Sequence, residues 1–157
     1  MRTFFTTMFV FSTITAIAAF AADNTLGTWK LNVGKSTLTS TPPPLKQLTT
    51  VREASGEGVK VTNTGERADG TKVDTNYVAK YDGTAATVSG TNTLYDTIAI
   101  KQVNANTLTD ERKKTGGPYH ATGRTVISNG GKTMTVTTKG TNVDGKALAS
   151  TLVFDKQ

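Results

Sequence analysis

The sequence predicts an all-β protein: an antiparallel up-and-down β-barrel of about ten strands, following an N-terminal signal peptide. Three observations predict it. Thr alternates with Val, Leu or Ile through the chain beyond the leader, the composition of strands with one wet face. Turn pairs recur at short intervals: Ser55-Gly56, Asp69-Gly70, Asp82-Gly83, Gly116-Gly117, Asn129-Gly130-Gly131 and Asp144-Gly145. No stretch sustains apolar residues at i, i+3, i+4 and i+7, so helices are not expected.

Residues 1–21 read as an export signal. Arg2 is their only charge, the run from Phe4 to Phe20 is apolar with scattered Thr and Ser, and Ala19-Phe20-Ala21 places small residues where signal peptidase reads them. Cleavage is expected before Ala22. A retained anchor is the other reading, but the run is short and lacks a stop-transfer pattern. The remaining residues, 22–157, are about one domain's worth. No second apolar run occurs, so no membrane span is expected after cleavage. The chain has no Cys, hence no disulfide, no thiol chemistry and no lipid anchor at the cleavage site. This fits bacterial export, to the periplasm or beyond the cell.

The expected strands run over 26–32, 47–53, 58–63, 71–81, 84–88, 94–103, 106–113, 119–128, 132–139 and 147–155. Alternation assigns their inner faces. Trp29 and Leu31 share one side of the first strand, and Val73, Thr75, Tyr77, Ala79 and Tyr81 one side of the fourth. Ile98 pairs with Ile100, Met134 with Val136, and Leu148, Ser150, Leu152 and Phe154 align on the last strand. Asn32 to Gln47 breaks the rhythm. Pro42-Pro43-Pro44 favours an extended path without ladder donors, as a long ordered loop or a cover over one barrel end. A long meander of this kind must curl or close, because bare edges invite aggregation.

Composition limits the partners. Beyond the leader the aromatic set shrinks to Trp29, Tyr77, Tyr81, Tyr95, Tyr119 and Phe154, which allows an interior that is partly polar or partly empty. The formal charge of +6 is spread along the chain, and only Arg112-Lys113-Lys114 forms a cluster. Basic residues without interleaved aromatics, on an exported protein, argue against nucleic acid.

Gly27-Thr28-Trp29-Lys30-Leu31 resembles the opening strand of the calycins, the superfamily of lipocalins and fatty-acid-binding proteins. Further likeness lies in Tyr81-Asp82-Gly83, Asp96-Thr97-Ile98-Ala99 and Met134-Thr135-Val136-Thr137-Thr138-Lys139-Gly140-Thr141, and is greatest to bacterial exported lipocalin-like proteins of unassigned function. The strand count is nearer the fatty-acid-binding branch, whereas the signal peptide points to exported lipocalin-like proteins. The resemblance implies a monomeric barrel that holds a small apolar or amphipathic ligand. It implies that Trp29 plugs one barrel end under a basic side chain, with Arg124 as candidate partner; such a contact adds roughly 0.5–2 kcal/mol. Tyr77 and Tyr81 join Trp29 and Arg124 as candidate ligand-binding residues. The chain departs from the fatty-acid-binding pattern at Leu152-Val153-Phe154-Asp155, which lacks the Arg-x-Tyr carboxylate anchor, and at the triple proline, which replaces a helical portal cover.

No catalytic set emerges, and none is expected. His120 is the only His, and without Cys or a fixed carboxylate neighbour it reads as a surface or turn residue. The Asp residues read first as turn formers. Asn129-Gly130-Gly131-Lys132 and Gly56-x-Gly58 precede no helix and do not cradle phosphate. No metal or cofactor is expected. The alternative to ligand binding is a filled, structural barrel that acts at the envelope through its surface or the Arg112–Lys114 cluster. The volume and lining of the interior separate the two readings.

Overall fold

A computed structural model describes residues 23–39, 42–91 and 93–157. The expected signal peptide, 1–21, lies outside the described residues. Eleven strands form one antiparallel sheet: β1 (Gly27–Leu31), β2 (Leu45–Ser55), β3 (Gly58–Arg67), β4 (Lys72–Lys80), β5 (Asp82–Thr87), β6 (Ser89–Thr91), β7 (Thr97–Asn104), β8 (Thr107–Lys113), β9 (His120–Ser128), β10 (Thr133–Thr141) and β11 (Ala147–Lys156). Among the described residues one 3-10 turn, Val33–Lys35, follows β1.

The strand order is β5-β7-β8-β9-β10-β11-β1-β2-β3-β4-β6. Its two ends belong to one stretch of chain. β5 pairs with β7, Val88 kinks, and β6 crosses to pair with β4. The sheet is therefore a nearly closed barrel; the expected strand at 84–88 corresponds to β5, and β6, beyond the kink at Val88, lies outside every expected strand. Gly90 makes the crossing possible. Its φ is 124°, and a Cβ there would lie 2.0 Å from the Asp74 carbonyl oxygen.

Alternation sets the faces as expected. In β4, Val73, Thr75, Tyr77 and Ala79 are buried and their neighbours exposed. The interior has two apolar walls. One is Val59, Val61, Tyr77, Ala79, Val88, Ile98, Ile100 and Leu108. The other is Trp29, Leu31, Leu48, Val73, Ile127, Met134 and Phe154. A polar seam runs between them: Thr50 Oγ1 donates to Asn63 Oδ1 at 2.8 Å, and Asn63 Nδ2 to Thr75 Oγ1 at 3.0 Å.

One barrel end is sewn shut by the residues before β1. Trp29 is wholly buried, and its Nε1 donates to the Thr25 carbonyl at 2.8 Å. Asp23 accepts from Thr25 and from the Tyr81 hydroxyl. The proline-rich segment covers the other end. Thr37 and Thr151 exchange backbone hydrogen bonds of 2.7 and 3.0 Å, Ser36 Oγ accepts from Val153 N at 2.9 Å, and Arg67 Nη1 donates to the Pro43 carbonyl at 2.8 Å.

Candidate functional site

Between the apolar walls lies an interior cavity of about 170 Å³. Leu48, Val61, Tyr77, Leu108, Met134 and Phe154 supply much of its apolar surface; Thr50, Asn63, Thr75 and Thr125 supply hydroxyl and amide groups. A second chamber of about 110 Å³ lies toward the covered end, bordered by Pro42, Pro44, Leu94, Tyr119 and Leu148. Leu45, Arg67, Leu94, Tyr95, Arg112 and Leu152 border both chambers, so the two are adjacent. No His borders either chamber.

Four charged residues border the inner cavity: Arg52, Arg67, Arg112 and Asp110. β8 carries two of them. Leu108, Asp110 and Arg112 alternate on one face, and Arg112 Nη2 donates to Asp110 Oδ1 at 2.8 Å. The Arg112 guanidinium also lies 5.5 Å from the centre of the Tyr95 ring, which stacks on Tyr119 at 5.9 Å. Burial works to lower the Arg112 pKa, but Asp110 and the adjacent Tyr95 outweigh it and hold the pKa well above the ordinary value. Arg112 is thus a fixed interior cation. Gly123, facing Asp110 across the β8–β9 ladder, leaves the room that this carboxylate fills.

Arg52 stands nearer the sewn end and donates Nε to Thr25 Oγ1 at 3.2 Å. Arg67 stands at the covered end; burial lowers its pKa, partly offset by Asp69. The Tyr77 hydroxyl lies among these groups. Burial, then Tyr95, push its pKa up, while Arg52 and Arg112 pull it down. It therefore stays protonated at neutral pH and can donate as well as accept.

The residues singled out from sequence separate in space. Tyr77 borders the cavity. Trp29 does not, and serves as a plug beneath it. Tyr81 does not border it either. Its hydroxyl is bound to Asp23 at the sewn end, and burial first, then that hydrogen bond, push its pKa up to about 12. Arg124 is exposed on the outer face of β9, between Thr109 and Thr137. It cannot reach Trp29 or the cavity, because strand alternation points it outward. The cation over the indole is Lys156, 5.0 Å from the ring centre, delivered by the Trp29–Lys156 pairing of β1 and β11.

Sequence reasoning missed Arg52, Arg67 and Asp110 as interior residues, and favoured a solvent-facing role for Arg112 over an interior one paired with an anion. A signal was present, since Leu48-Thr50-Arg52 and Leu108-Asp110-Arg112 each keep strand parity with an apolar residue. The Arg112-Lys113-Lys114 run is consequently not a single surface patch. Arg112 turns inward, while Lys113 pairs outside with Glu111 at 3.0 Å. His120 sits on the same outer face, its Nε2 2.8 Å from Glu111 Oε1. Asp69 and Asp82 take turn roles, accepting the backbone N–H of Thr71 and Thr84, whereas Asp96 accepts that of Thr115, 19 residues away; each such bond lowers the carboxylate's pKa. No helix among the described residues is long and apolar enough to cross a membrane. No family model matches the sequence, and a search of the curated proteins finds no match.

Proposed function

We propose that this is an exported, lipocalin-like carrier or receptor that binds a small amphipathic molecule inside the barrel. The observation that carries the reading is the cavity of about 170 Å³ between two apolar walls crossed by a polar seam. A barrel that served only as a scaffold has no need of it, since interiors ordinarily pack without voids of this size. An engineered apolar cavity of about 150 Å³ holds benzene, so this space is large enough for a small organic molecule. The covering segment, held by Thr37, Ser36 and Arg67, shields bound apolar surface from water.

The test is solution NMR of the purified, exported protein titrated with 1-octanol, a neutral amphipath. The expected result is saturable shifts at inner residues such as Tyr77, Leu108 and Val136, with outer-face residues such as Arg124 unmoved. Saturable shifts confined to the outer surface would refute interior binding.

A further inference from the structure

The polar groups around the cavity do not balance among themselves. Three guanidinium groups, Arg52, Arg67 and Arg112, border it against one carboxylate, Asp110. Arg67 is engaged by the Pro43 carbonyl, and one nitrogen of Arg112 by Asp110. Arg52 Nη2, Arg112 Nε and Asp110 Oδ2 are buried and have no hydrogen-bond partner among the described residues. Arg52 as a whole is only 7% exposed. Buried charged groups without partners are costly, and a molecule that supplies the missing partners is favoured in proportion.

The imbalance has a chemical signature. Two unmatched guanidinium nitrogens and a surplus of positive charge call for an anionic acceptor. The unmatched Asp110 oxygen calls for a donor. A neutral alcohol answers the second need only. A plain carboxylate answers the first but brings a second anion toward Asp110. Asp110 and Arg112 are two residues apart on one face of β8 and already joined at 2.8 Å, so the donor and the acid group must lie within a few bonds of each other. The two chambers, about 170 and about 110 Å³, limit the molecule to about ten non-hydrogen atoms, judged against the space that benzene occupies.

We propose that the cavity recognises a small hydroxy acid, with its carboxylate toward Arg52 and Arg112, its hydroxyl donating to Asp110 Oδ2, and its short apolar tail between the two walls. This rests on the reading of the cavity as a ligand site and specifies its occupant.

Calorimetric titration of the exported protein with 1-octanol, octanoate and 3-hydroxyoctanoate tests it. The wild type should prefer octanoate to 1-octanol, and 3-hydroxyoctanoate to octanoate, each by about tenfold, the worth of one hydrogen bond to a charged group. Arg52→Met should bring both acids toward the affinity of 1-octanol. Asp110→Leu should erase the preference for the hydroxyl while octanoate binds as well as or better than before, since the competing anion is gone. Gly123→Ala displaces the same carboxylate from the facing strand and serves if Asp110→Leu does not fold. Equal affinity for the two acids in the wild type would overturn the proposal, as would a hydroxyl preference that survives loss of Asp110. Binding of 1-octanol with no gain for either acid would overturn it and leave the cavity reading standing. Failure of all three to bind would overturn both.

Discussion

At Gly123 a single methyl group would collide with a carboxylate. An ideal Cβ there would lie 2.3 and 2.5 Å from the two Asp110 oxygens, closer than real contacts allow. Gly123→Ala should therefore push Asp110 away from Arg112 and destabilise the protein by about 1–3 kcal/mol, the usual range for overpacking. Gly34→Ala is the control, because its nearest neighbour outside the adjacent chain would be Asn32 Oδ1 at 3.7 Å. Urea unfolding checks both, and a Gly123→Ala midpoint equal to that of Gly34→Ala would contradict the account. The same position shows why Asp110 escaped the sequence reading and why Arg112 was read outward in preference to inward. Charged residues are read outward by default, because they are seldom buried without partners. Asp110 and Arg112 are each other's partner, and the glycine that admits them stands in another strand, where nothing local announces its purpose.

Among the elements, the long strands were legible and the shortest was not. β4 alternates without a break, so its inner face could be read from Val73 to Ala79. β6 is Ser-Gly-Thr with all three residues exposed, and offers no alternation to read. Its existence depends on β4 being beside it, a tertiary fact. β6 nonetheless covers part of an edge that would otherwise present unpaired backbone groups. Gly90→Ala should detach it, since the new Cβ would meet the Asp74 carbonyl at 2.0 Å and φ 124° is strained for an L-residue. The expected outcome is concentration-dependent association through the bared β4 edge, seen by light scattering. Thr91→Ser, which keeps the backbone path, should leave the protein dispersed. Equal scattering from the two variants would show that β6 does not protect the edge.

Over the whole molecule, barrel closure was legible and the content of the barrel was not. Short turns between alternating strands dictate a meander, and a meander of this length closes. The resemblance carried by Gly27-Thr28-Trp29 correctly foresaw a buried tryptophan under a cation, but named Arg124 where Lys156 stands. Which late basic residue reaches the indole depends on the register between the first and last strands, and no local pattern encodes that register.

The pairing of β1 with β11 also has a kinetic consequence. The other ladders join strands close in sequence, whereas Trp29 meets Lys156 near the opposite end of the chain. Loop-closure entropy grows with the length of chain enclosed, so this ladder carries the largest closure cost and should form last. Trp29 is the only tryptophan and sits at this junction, which makes it a natural clock for the final step. In stopped-flow refolding its fluorescence change should trail the far-ultraviolet dichroism that reports strand formation, and coincident traces would mean that the ring closes together with its hairpins rather than after them.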